Sequence, residues 1–222
     1  MLETNGTNGT NGASAIIRNI NPNYRGFDYI SWYVGNARQA VTYFVSHFGF
    51  KVVAYRGPET GSHLTTSYVI SNGDARLMLT APITGPDSTD ERASEEDRRL
   101  LNEAHAHLTK HGDGVKDIAF QVDDVKGVWE HAVQNGAVSL QKPAVSETDD
   151  GCGSVLRAAV RTYGDTVHTL INRTQYTGAF LPGFKAVSDA DRLNELLPPV
   201  DLIEIDHCVG NQPRGGLDGI VK

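Results

Sequence analysis

Apolar and polar positions alternate along this chain in two repeating blocks. Residues 27–34 are crowded with aromatic and β-branched side chains, which predicts a strand. Asn36 can cap a helix. Ala37, Ala40, Val41, Phe44, Val45 and Phe48 then recur at helical spacing and form one apolar stripe, with Gly49 placed to stop it. Strand-like segments follow at 51–56, 65–71 and 75–81, and Asn72-Gly73 reads as the hairpin turn between the last two.

The pattern then recurs. A strand is predicted over 116–122, and Asp123 or Asp124 can cap a helix whose stripe is Val125, Val128, Trp129, Ala132 and Val133. Gly136 follows, then strand-like segments near 138–141, 154–162 and 166–172. Each unit reads β-α-β-β-β, over about 27–85 and 114–175, inside an N-terminal domain spanning 19–180. A third unit opens at Leu202. Aligning strand ends makes Val34, Val122 and Val209 equivalent, with a period of roughly 87 residues. Two positions before each valine stand Trp32, Phe120 and His207. Only the third of these can ligate a metal, so the first two units are expected to be a metal-free structural half. Residues 181–222 are expected to be a linker and the first strand, over 202–209, of a truncated third module. Residues 200–222 should either add an edge strand to the first two units or stay mobile.

Between the two units, residues 88–112 predict a polar surface helix. Ser94 is its cap, Asp97 a capping-box partner, Glu95, Glu96 and Asp97 suit its first turn, and Gly112 its end. His105, His107 and His111 lie on it. His107 and His111 are spaced i, i+4 as a zinc or nickel pair would be, but with no third ligand evident the reading kept is a solvated helix face. Residues 1–18, with Thr-Asn-Gly three times over, have little to bury and are expected to be a disordered leader.

Composition narrows the classes. A net charge of −7 argues against nucleic acid and anionic membranes as partners. There is no run of 18 apolar residues and no evident signal peptide. Cys152 and Cys208 are too few for a disulfide framework, so a cytoplasmic setting is expected. Cys152 has no neighbouring basic residue to lower its pKa.

The stretch 107–120 (His-Leu-Thr-Lys-His-Gly-Asp-Gly-Val-Lys-Asp-Ile-Ala-Phe) resembles 4-hydroxyphenylpyruvate dioxygenases. So do Phe27-Asp28-Tyr29-Ile30, Val34-Gly35-Asn36 and Tyr43-Phe44 ahead of Phe48-Gly49-Phe50. Ile205-Asp206-His207-Cys208-Val209-Gly210-Asn211 resembles that family's first iron-ligand segment. The resemblance implies an α+β fold of the vicinal-oxygen-chelate (glyoxalase-like) kind, with paired βαβββ modules forming an incomplete barrel and four modules in two domains. It also implies Fe(II), held in the C-terminal domain by two His and one Glu. The reaction would be the conversion of 4-hydroxyphenylpyruvate and O2 to homogentisate and CO2 in tyrosine catabolism. Carried over to this chain, His207 is the metal ligand, and Val209, Asn211 and Gln212 are substrate-binding candidates. The expected partner is a small aromatic 2-oxo acid, with a homo-oligomer or association with a full-length family member.

After Pro213 the family continues into a helix. Here three glycines in nine residues make a poor one, and the other two iron ligands belong to segments this chain lacks. Two further readings fit the same residues. One is a non-catalytic, partner-binding module. The other is a short paralogue using the barrel of the first two units, without iron, with Trp32 and Phe120 facing an apolar cavity.

Overall fold

The computed structural model describes residues 23–147, 151–188 and 191–216; the expected leader and the end of the glycine-rich tail lie outside them. Within the described residues, nine strands form one open sheet, in the order β6 (Val138–Glu147), β7 (Ser154–Arg161), β8 (Val167–Asn172), β5 (Gly114–Val122), β1 (Tyr24–Tyr33), β4 (Ala75–Pro82), β3 (Thr65–Asn72), β2 (Lys51–Arg56) and β9 (Lys185–Ala186). The first unit comprises β1, α1 (Ala37–Phe48), β2, β3 and β4. The second comprises β5, α3 (Val125–Gln134), β6, β7 and β8. Both have the expected βαβββ order, and the sheet does not close.

The local signals account for most boundaries. The Asn36 side chain accepts from the Gln39 amide at the start of α1, and Gly49 ends the helix at φ 65°. Asp124 does the same for α3 through the Gly127 amide. α2 (Glu95–His111) opens with the expected capping box between Ser94 and Asp97. β9 (Lys185–Ala186) and α4 (Arg192–Leu196) follow the second unit.

The two units meet where β1 pairs antiparallel with β5. Ile30 stands opposite Ile118, flanked by Tyr29 opposite Ala119 and Ser31 opposite Asp117. On the 88-residue offset of Val34 from Val122, these pairs exchange with one another about Ile30 and Ile118, so the seam is a local twofold axis. On one face, α1 covers a core that includes Val41, Val45, Ile70, Leu77 and Leu79, and α3 covers Val122, Ala158 and Leu170. The opposite, concave face carries Tyr29, Val69, Ala119, Val155 and Ile171.

Trp32 and Phe120 pack with the helix-side cores, not on the concave side. The expectation that they face a barrel cavity is therefore corrected. β1 is apolar on both faces, so its alternation could not tell which side each residue takes.

The expected strand over 202–209 also needs correction: none of residues 197–213 belongs to a strand. A strand needs a neighbour running alongside it, and this segment instead crosses the seam on the helix-bearing face as a strap. The Asn72 amide donates to the Phe48 and Val200 carbonyls at 2.8 and 2.6 Å, and its Oδ1 accepts from the Leu202 amide at 3.3 Å. The Asp74 amide donates to the Ile203 carbonyl at 2.7 Å. Ile205 packs on the first unit's core, and Gly210 lies against the Tyr163 ring beside the β7–β8 turn. Replacing Gly73 by alanine should lift this strap. A Cβ there would come 2.3 Å from the Leu202 carbonyl oxygen, at φ +57°. Amide exchange at Leu202 and Asp74 should quicken at least about ten-fold, with the sheet's protection nearly unchanged. Unaltered rates at both amides would refute the clasp.

Candidate functional site

The four residues singled out from sequence all lie on the strap, divided between two hollows. His207 is largely exposed, its side chain at 73%, and its Nδ1 lies 2.7 Å from Asp206 Oδ2. It lines a cleft of about 650 Å3 with Arg25, Asp74 and Arg76. Val209, Asn211 and Gln212 line a second hollow of about 310 Å3 over Ile30 and Ile118, walled by 163–166. Val209 is 76% exposed. Among the described residues, no group of three or more His, Cys, Asp or Glu side chains is placed to hold a metal ion. One imidazole hydrogen-bonded to its neighbouring carboxylate is not the two-His, one-carboxylate donor set that a mononuclear iron requires.

Of the three helix histidines, His107 is buried, which corrects the solvated-face expectation for it, while His111 is exposed. The His107 ring stands edge-on to Tyr33 at 5.3 Å, and desolvation lowers its pKa. His105 Nε2 lies 2.9 Å from the Thr84 carbonyl. His111 Nε2 and Lys110 Nζ both reach the Asp165 carboxylate at 2.9 Å, and these two contacts hold its pKa far below the usual carboxylate range. Together they bind α2 across the concave face, where Leu101 and Ala104 are buried.

The rest of that face is filled by the segment after β8. Phe180 and Leu181 are 2% and 4% exposed, and Phe180 stands edge-on to Tyr29 at 5.1 Å. An ion pair fixes this plug. Arg173 donates from Nε and Nη2 to the two oxygens of Asp28 at 2.9 and 2.5 Å, and from Nη1 to the Phe180 carbonyl. The Arg76 guanidinium stands 3.7 Å from the same carboxylate. Nearby, Asp117 accepts from the Thr169 amide at 3.0 Å and from its hydroxyl at 2.6 Å. Burial nevertheless raises its pKa to about 6.

Sequence reasoning passed over this network. The available signal was two carboxylates, Asp28 and Asp117, inside strands that are otherwise largely apolar, where charge is rarely buried unpaired. The concave side of these two modules therefore holds side chains where a substrate cavity would otherwise open.

Comparison with known proteins places these features. The model of the Glyoxalase/Bleomycin resistance protein/Dioxygenase superfamily matches residues 26–170. A relative from Aspergillus fumigatus, described as probable 4-hydroxyphenylpyruvate dioxygenase 2, is 54% identical over 209 residues, covering 91% of this chain and 51% of the relative. The 4-hydroxyphenylpyruvate dioxygenase of Neurospora crassa is 49% identical over 210 residues, covering 94% and 50%. A mutant 4-hydroxymandelate synthase from Streptomyces coelicolor superposes with a TM-score of 0.57 at 28% identity, over 74% of this chain and 42% of that one. The chain spans about half the length of the curated relatives it matches.

Proposed function

Since the chain belongs to the Glyoxalase/Bleomycin resistance protein/Dioxygenase superfamily and is homologous to 4-hydroxyphenylpyruvate dioxygenases, we propose that it is the structural half of such a dioxygenase. In this reading the described residues supply the scaffold. The Fe(II)-dependent conversion of 4-hydroxyphenylpyruvate and O2 to homogentisate and CO2, a step of tyrosine catabolism, requires a further pair of modules. That pair is supplied by a longer form of the protein or by association with a full-length relative. The proposed setting is cytoplasmic, on the ground that two cysteines are too few for a disulfide framework; no helix among the described residues is long and apolar enough to cross a membrane.

One observation carries this reading. The concave face, where paired modules have room for a site, is packed with Phe180, Leu181 and α2, while the imidazole resembling an iron ligand stands in solvent outside it. Iron, when bound by a complete triad, supplies chelation of the 2-oxo acid and activation of O2. The donors present do not fit that group: His207 has only the Asp206 carboxylate beside it, and no second imidazole joins them among the described residues. The strap sets Val209, Asn211 and Gln212 around the hollow over Ile30 and Ile118 and leaves His207 exposed beside it.

Anaerobic Fe(II) loading followed by metal analysis and CO2 release from 4-hydroxyphenylpyruvate tests this. The 222-residue chain alone should retain far less than one iron per chain and release no CO2. Stoichiometric iron with turnover would overturn the proposal, and light scattering on the same sample would show whether a neighbouring chain completes the triad.

A further inference from the structure

A different part of the molecule has the form of a ligand site. β9 continues the sheet past β2, and its pairing puts Lys185 directly opposite Tyr55, which is itself opposite Tyr68 on β3. Directly opposed residues share a face of the sheet. Tyr68 packs with the α1-side core, so the row Lys185, Tyr55, Tyr68 lies on the side that bears α1. A register shift between Val52 and Ala54 makes this possible: the extra residue returns both Val52 and Tyr55 to that side. α1 presents Arg38, Val41 and Thr42 over the row, spaced i, i+3 and i+4 on one helix face. Between helix and row lies a cleft of about 680 Å3, within the usual size for small-molecule sites.

Its chemistry is specific. The floor is aromatic and apolar: Tyr55 and Tyr68 rings 5.0 Å apart, with Val41 and Val52 beside them. Two carboxylates on the rim are engaged, Glu59 with the Tyr55 hydroxyl at 2.8 Å and Asp191 with the Leu193 amide at 3.0 Å. The two cations, Arg38 and Lys185, have no ion pair or side-chain hydrogen bond among the described residues. Among the described residues the second module has no counterpart: in its corresponding pair Val145 stands on the edge strand β6 opposite Leu156 on β7, and no further described strand continues the row.

We propose that the cleft between α1 and β9 binds a small planar aromatic carboxylate, its ring over Tyr55 and Tyr68 and its anionic group between Arg38 and Lys185. The site is separate from the dioxygenase reading, and its test does not depend on iron or turnover.

The probe is 2-naphthoate, followed by ligand-observed NMR on the full chain, with 2-naphthamide as the uncharged control. The naphthoate should bind with a Kd on the order of 0.1–1 mM and the amide at least about ten-fold more weakly. Lys185→Gln and Arg38→Gln should each weaken naphthoate about ten-fold or more without moving the melting temperature, since both side chains are exposed and have no ion-pair partner among the described residues. Tyr68→Leu, which keeps most of the volume, should also weaken it. Equal binding of acid and amide, indifference to both cation variants, or no binding up to about 10 mM would each overturn the assignment.

Discussion

Asp28→Ala is expected to destabilise the fold by about 3–5 kcal/mol, the usual cost of removing one partner from a buried ion pair. Asp28 is 3% exposed, and its carboxylate faces two guanidinium groups. Its loss would leave Arg173, whose side chain is 18% exposed, with an uncompensated charge in a largely dry site. The damage would spread, because the same arginine holds the Phe180 carbonyl and stacks 5.1 Å from that ring. Against a total stability of roughly 5–15 kcal/mol, this is a large fraction. Urea unfolding of wild type, Asp28→Ala and the paired change Asp28→Leu with Arg173→Met would measure it. The paired change should recover part of the loss, since two apolar side chains replace two charges while Arg76 and the Phe180 carbonyl each lose a partner. A cost below about 1 kcal/mol for Asp28→Ala would show that the plug does not depend on this pair.

Asp117→Asn should act in the opposite direction and depend on pH. A carboxyl that titrates near 6 in the folded chain and near 3.8 in the unfolded one binds more protons when folded across that interval. Stability contributed by this group is therefore greatest below the unfolded pKa and falls as pH rises through 6. The difference amounts to at most about 3 kcal/mol. Asparagine cannot ionise, and Thr169 can still donate to its oxygen. The variant should be more stable than wild type at pH 7, with the advantage shrinking toward zero near pH 4. His107 and His168, whose pKa values burial lowers, tilt the wild-type profile the other way below about 6.5. The informative quantity is thus the difference between variant and wild type at each pH. A difference that stays constant from about pH 4 to 7 would refute the assignment.

How much of this was readable beforehand depends on the range of the interactions. Asn36, Asp124 and the Ser94–Asp97 box act within one turn of chain, and each does what its identity suggests. Asn72-Gly73 was legible as a hairpin, but its hold on the strap was not, because those partners lie some 130 residues away. The insertion helix reads as polar because charges dominate it. Its buried stripe of Asp97, Leu101, Ala104 and His107 contains only two apolar residues, so periodicity alone concealed it. The plug and β9 come from a stretch that reads as loop, and a loop's destination is a tertiary matter. His207 was identified by the residues around it, yet a motif specifies only one ligand's neighbourhood. Whether a site exists depends on donors brought from elsewhere, and the described residues bring none.

The pairing about Ile30 and Ile118 has a consequence for how such a chain arose. A single βαβββ unit made alone would keep β4 on one edge of β1 and display the other edge unpaired, already in the register that another copy of itself satisfies. The smallest self-sufficient object is then two units, whether or not a peptide joins them. Gene duplication would have converted a homodimer into one polypeptide without altering its seam, after which each half was free to diverge, one gaining β9 and the other leaving β6 as the margin of the described sheet.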